Sequence, residues 1–209
     1  MPLPNRVTPF GKLVAIPERG LMMGNRGVLH DDTRQIVRQW QVRRWITCVT
    51  EFRGRHREVM LPRAYTELFF LDEATAFAAG HRPCAECRHA DYRRFKAIWE
   101  QVTGGPASAE QMDNVLHADR LTGQGTGQAQ RTYHEDMAAL PDGAFVALDG
   151  GAWLLWRGGL LAWSAAGYTE RQAPPTGPVE VLTPRSAVAV LRAGYVPLVH
   201  PTAEQLIVQ

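Results

Sequence analysis

The sequence predicts an α+β protein built from three parts. A small sheet-and-helix module fills residues 1–102, a helical connector fills 103–142, and a small antiparallel sheet with one helix fills 143–209. Three observations carry this. Short β-branched and aromatic runs stand around residues 40–52 and 68–71. Two segments between 83 and 121 repeat apolar residues at helical spacing. After Pro141-Asp142-Gly143, short apolar runs alternate with Gly-rich turns, as in an antiparallel sheet.

Each element follows in order. Residues 1–20 hold prolines at 2, 4, 9 and 17 and read as extended chain. Trp40–Phe52, turned back by Arg53-Gly54-Arg55, predicts a β-hairpin with Glu58–Met60, and Leu68–Leu71 a further strand. Asp72 is placed to cap a helix over 73–79, closed by Gly80. The stripe Cys87, Asp91, Phe95, Ile98, Val102 predicts a helix from about Pro83 to Val102. Ser108-Ala-Glu-Gln111 reads as a capping box opening a helix to Leu121, and Thr132-Tyr-His-Glu135 as a second on a short helix. Between them, Thr122–Gln130 is a Gly/Gln loop without an apolar anchor, expected to be mobile. Strands are expected at Ala144–Leu148, Ala152–Trp156, Leu160–Trp163, Val179–Leu182 and Val196–Val199. A helix over Arg185–Ala193 is capped by Gly194. Trp153, Trp156 and Trp163 fit core packing better than base stacking.

The overall charge of +2 conceals an asymmetry: residues 1–100 carry 17 basic against 11 acidic side chains, and residues 101–209 carry 6 against 10. Eight arginines and two glutamates lie between Arg34 and Arg63, and 21 of the 23 basic residues are arginine. A guanidinium fork suits phosphate, so the cluster points to a polyanion, although a face that is merely solvated is equally compatible with it. No run of 18 apolar residues exists to cross a membrane. The first 20 residues lack the apolar stretch of a secretory signal, and three cysteines are too few to staple a secreted domain; the expected compartment is cytoplasmic.

The sharpest local feature is Cys84-Ala-Glu-Cys87, a C-x2-C pair that can offer two thiolates to one metal. Cys48 is the third cysteine, and His30, after a Gly-rich turn, is the first choice for a fourth ligand, with His56 and His81 as alternatives. Zinc is the cofactor this donor set predicts. The plainer reading is two buried, inert thiols.

Leu68–Arg88, with its aromatic strand, Glu73-Ala74, Ala79-Gly80 and Arg82-Pro83-Cys84-x-x-Cys87, resembles the second half of the Ada-type zinc module, the metal-binding domain of the bacterial alkylation-response protein and its short relatives. Gly24–His30 resembles the strand that supplies a histidine ligand in the short relatives. The resemblance covers about residues 24–88; a cysteine those relatives place a few residues after that strand is missing from Asp31–Gln35, so Cys48 would return across an insertion. It implies zinc held by His30, Cys48, Cys84 and Cys87, and a DNA-binding protein of a repair or damage-response type. By analogy it implies phosphate contacts from Arg82 and Arg88, to which the basic N-terminal half adds Arg26 and Arg55. Cys48 cannot be assigned as a methyl acceptor without its paired cysteine. The alternative class is a nuclease or DNA glycosylase using His30, Asp31 and Glu67 as acid–base groups; a structural protein with idle cysteines is the third. No P-loop, dinucleotide fingerprint or nucleophile elbow occurs.

Overall fold

A computed structural model describes residues 1–54, 58–122 and 129–207. The chain is of mixed α and β type, as the sequence predicts at that coarse level. The first sheet runs in the order β2 (Leu13–Val14), β1 (Arg6–Val7), β5 (Leu68–Phe70), β3 (Met22–Asn25), β4 (Ile46–Val49), β6 (Arg82–Pro83). The Pro-rich start thus supplies two short strands at one end of the sheet, β2 forming the edge. β4 pairs antiparallel with β3 and parallel with β6, not with Glu58–Met60, which forms no strand. This corrects the predicted hairpin: both edges of β4 are taken by strands distant in sequence, and the local turn signal at Arg53-Gly54 lost to that burial. Gly24 is required in β3, because a Cβ there would stand 2.1 Å from the Ile46 carbonyl oxygen.

The helix α1 (Glu73–Ala78) is wholly buried, and the Asp72 carboxylate caps it by accepting from Thr75 N at 2.8 Å. Helix α2 is His89–Thr103, and α3 (Ala109–Arg120) opens with the predicted capping box on Ser108 and Gln111. Residues 83–88 are not helical; they form β6 and a turn that the pairing with β4 holds open. Thr122 and Gln130 lie in a two-stranded ribbon, β7 (Leu121–Thr122) and β8 (Ala129–Gln130). The predicted mobile segment between them lies outside the described residues.

The second sheet is antiparallel throughout: β13 (Gly167–Gln172), β12 (Gly159–Ser164), β11 (Gly151–Trp156), β10 (Phe145–Leu148), β14 (Pro178–Val181), β9 (Tyr133–Asp136). The predicted short helix at Thr132–Glu135 is therefore a strand. Its capping-box pattern is overridden because β14 offers a full partner edge, with Tyr133 to Asp136 registered against Val181 to Pro178. β13 went unpredicted because its exposed Thr-Glu-Arg stretch lacks an apolar run. α4 (Arg185–Arg192) stands where expected, Val196–Val199 is not a strand, and a short α5 (Thr202–Gln205) follows.

The two sheets meet over α1. Leu71, Ala74 and Ala78 share one apolar cluster with Phe145, Leu154, Leu161 and Tyr168 of the second sheet. Two buried carboxylates pin the contact. Asp72 accepts from Tyr168 Oη at 2.7 Å and His200 N at 3.0 Å. Glu73 accepts from Tyr195 Oη at 2.8 Å and Leu198 N at 2.9 Å. Burial raises both carboxyl pKa values, and for Glu73 the Arg88 charge works against that rise. No helix among the described residues is long and apolar enough to cross a membrane.

Candidate metal centre

The parallel pairing of β4 with β6 sets Ile46 against Arg82 and Thr47 against Pro83, so the next residue on each strand, Cys48 and Cys84, comes level. Cys84 N is tied to Thr47 O at 2.9 Å, and the turn after it closes with Arg88 N on Cys84 O at 3.2 Å, which carries Cys87 back beneath Cys84. The sulfurs of Cys48, Cys84 and Cys87 lie within 4.8 Å of one another. All three are free thiols, two of them buried. Four ligands at about 2.3 Å around a tetrahedral zinc stand about 3.8 Å apart, so little adjustment is needed to close on an ion.

The cluster is electrostatically prepared for anionic sulfur. Cys84 is drawn far below an ordinary thiol, first by hydrogen bonds from the Cys48 and Cys87 thiols and then by the backbone N–H groups of Cys87 and Glu86; Glu86 N lies 3.4 Å from Cys84 Sγ. Cys48 is pushed up by its hydrogen bonds to Cys84 and Cys87, and by burial. One thiolate shared by two thiols is the state that balances charge here; three thiolates at this spacing require a cation. The donor set can hold a metal ion, and soft sulfur ligands favour zinc or copper(I) over hard cations.

His30 is not brought to this group. Its Nδ1 lies 2.6 Å from Thr66 Oγ1 and its Nε2 3.1 Å from Leu61 O, so both ring nitrogens are engaged in positioning a loop. His81 is buried elsewhere, against Trp45 and Phe70; His56 and Arg55 lie outside the described residues. Among the described residues no histidine or carboxylate joins the three sulfurs.

The cysteines form part of the wall of a cavity of about 550 Å³, whose lining includes Arg44, Tyr65, Glu67 and Glu86. Glu67 is the one member of the proposed acid–base trio to reach it; one of its oxygens accepts from Met60 N at 2.8 Å. Asp31 instead caps a turn, accepting from Thr33 N, Thr33 Oγ1 and Gln35 N, and these hydrogen bonds, Thr33 Oγ1 first, lower its pKa. The trio His30, Asp31 and Glu67 does not converge on one cleft.

Three expected phosphate contacts are also corrected. Arg82 is buried and grips Asp113 with two bonds of 2.8 Å. Arg88 is buried against Glu73 at 2.7 Å and Asp91 at 2.8 Å. Arg26 is buried, with its guanidinium 4.0 Å from the Trp45 ring. Flanking a metal motif does not by itself expose an arginine, and here internal acids and an aromatic ring claim all three. Exposed cations line a second cavity, of about 820 Å³: Arg19 and Arg53 are exposed, the half-buried Arg6 joins them while its Nε donates to Glu18 O, and the cavity shares Thr50, Phe52, Val59 and Phe69 with the cysteine cavity.

Sequence reasoning missed a cluster beneath the same sheet, where Trp45 also meets the Arg120 guanidinium at 3.9 Å. Residues 26, 45 and 120 are too far apart in sequence for any local pattern to join them. Comparison with protein-family models, curated proteins and solved structures gives no match for this chain.

Proposed function

We propose that this protein is a DNA-binding protein of the repair or damage-response type, which carries zinc on Cys48, Cys84 and Cys87 and receives the DNA backbone along the adjoining arginine-lined cleft. The observation that carries the reading is the three-sulfur group in the wall of a cavity that shares four lining residues with a neighbouring one lined by Arg6, Arg19 and Arg53. Bound zinc would hold the sulfurs as thiolates and supply Lewis acidity at the cavity wall. The chain's own residues do the rest. The Cys84–Arg88 turn and β4 hold the sulfurs in place. Arg44, lining the cysteine cavity, and the three arginines of its neighbour supply forks for phosphate oxygens. These four replace Arg26, Arg82 and Arg88 as the expected backbone contacts.

Two measurements test the reading. Elemental analysis should find about one zinc per chain, lost in Cys84→Ser, since thiolate ligation couples metal to the fold. Four phosphate contacts on duplex DNA give a slope of log K against log salt of about −3.6, and Arg44→Ala or Arg53→Ala should each make it shallower by about one unit. Metal-free protein, or DNA dissociation constants weaker than about 10⁻⁴ M at physiological salt, would overturn it.

A further inference from the structure

A third cavity, of about 480 Å³, lies apart from the cysteine site and shares none of its lining residues. Its wall includes Arg26, Arg120, Trp45, Gln130 and Gly11, with the exposed Lys12 among its lining. Arg26 and Arg120 are 2% and 1% exposed, and among the described residues neither makes an ion pair with a carboxylate. Arg120 gives its outer nitrogens to the carbonyls of Gly80 and Arg43, and Arg26 gives one to Gly11 O at 3.2 Å and its Nε to His81 Nε2 at 3.3 Å. Among the described residues, Arg26 Nη2 and Arg120 Nε have no acceptor.

The cavity also holds an unpartnered acceptor. Gln130 Nε2 lies within hydrogen-bond distance of the carbonyls of Pro9, Ala78 and Leu182, at 3.1, 3.0 and 2.9 Å, which fixes the amide orientation and leaves Oε1 without a donor among the described residues. A Cβ on Gly11 would stand 3.0 Å from that Oε1 and 3.9 Å from Arg26 Nη2. Gly11 has φ +70, so both its backbone and the space beside it call for a residue without a side chain. Burial draws Arg26 down to about 9; burial and then the Arg26 charge draw Arg120 down to about 8, which Asp113 offsets only in part. A guanidinium stays charged at neutral pH, so these shifts express the cost of two buried cations with no carboxylate in contact among the described residues.

We propose that this cavity is a binding site for a small organic phosphate monoester. The anion must satisfy two arginine donors and still present a hydrogen to Gln130 Oε1. A phosphate monoanion has both acceptor oxygens and one O–H; a carboxylate or sulfate has no hydrogen to give. The cavity falls in the size range of small-molecule sites and exceeds what a bare phosphate fills, and Phe10, Leu13 and Trp45 line it for an apolar substituent.

The test is calorimetric titration of the full chain at about pH 6, near the second pKa of a phosphate, with phenyl phosphate, inorganic phosphate, sulfate and phenol. Phenyl phosphate should bind about tenfold tighter than inorganic phosphate, because the ring buries apolar area. Sulfate and phenol should bind more weakly than either phosphate. Arg26→Met should weaken phenyl phosphate about tenfold or more, the size of a lost charge-assisted hydrogen bond. Lys12→Glu, at an exposed position that leaves the fold intact, should weaken it further as salt is lowered. Sulfate binding as tightly as phosphate would overturn the proposal, as would phenyl phosphate binding unchanged in both variants. Duplex DNA whose binding alone responds to Arg26→Met, with no phenyl phosphate bound, would overturn it as well. Zinc content plays no part in these readouts, so a failure here is separable from a failure of the metal reading.

Discussion

Two pairs of buried arginines differ in their surroundings. Arg82 and Arg88, beside the cysteine motif, are matched by Asp113, Glu73 and Asp91. Arg26 and Arg120 lie within 4.0 Å of Trp45, facing carbonyls, a histidine and a cavity. The first pair is part of the framework: Arg82 ties β6 to α3, and Arg88 ties the start of α2 to α1. Among the described residues each pair leaves a guanidinium nitrogen without an acceptor, Arg88 Nη1 in the first and Arg26 Nη2 and Arg120 Nε in the second, so the difference lies in the carboxylates. Burial alone therefore does not separate structural from functional arginine; the identity of the counter-charge does. A paired guanidinium has its partner built in, whereas an unpaired one in a cavity needs that partner from outside.

The largest effect should come from breaking the matched pair. Asp113→Ala leaves the Arg82 guanidinium buried without its bidentate partner, and the expected loss is about 3–5 kcal/mol, read from the urea midpoint of unfolding. A loss below about 1 kcal/mol would mean that water or another acid replaces Asp113, and the contrast between the two pairs would fail.

Arg26→Met should do much less. It removes a cation whose burial no carboxylate offsets, while keeping apolar contact with Trp45. Its lost bonds to Gly11 O and His81 Nε2, both long at 3.2 and 3.3 Å, cost little more than the relief gained, so stability should change by no more than about 1 kcal/mol in either direction. A loss as large as that of Asp113→Ala would make Arg26 a framework residue after all and erase the difference.

The contrast also shows what could be read from the chain. The capping motifs at Asp72 and Ser108 were legible because they act over three residues, and α1 and α3 stand where those signals put them; α4 stands where its closing Gly194 put it. Most of the second sheet was legible from its spaced apolar runs. The pairing of β4 was not: its partners, β3 and β6, are set by register with segments more than twenty residues away, and a nearby Arg-Gly turn suggested a closer one. The same reach explains the site. Cys84 and Cys87 were visible as a motif, and Cys48 joined them only through β4–β6 pairing. His30 was misplaced because a histidine after a glycine-rich turn looks alike whether it ligates a metal or bonds to Thr66 and Leu61. The burial of Arg82 was equally hidden, since its partner Asp113 lies on α3, 31 residues further along the chain.

The smallest effect concerns His117, which belongs to the unmatched pair's surroundings: its Nδ1 lies 3.1 Å from an Arg120 nitrogen, and its ring packs edge-on to Trp40 at 4.5 Å. Burial, then the charges of Arg120 and Arg43, draws its pKa down from 6.5 to about 4. Above pH 6.5 the ring is neutral in the folded and unfolded chain alike, and its contribution to stability is fully present. As pH falls from 6.5 toward 4, the unfolded chain takes up a proton that the folded chain refuses, so stability drops across that window. His81, buried beside the same two arginines, is shifted in the same direction. His117→Gln keeps an acceptor for Arg120 but has no proton to gain. The urea midpoint of the wild type should therefore fall more between pH 7 and 4.5 than that of the variant, while the two differ little at pH 7. Parallel curves would show that His117 titrates like a free imidazole, and the positive field around Trp45 would then be weaker than two unpaired guanidinium groups must produce.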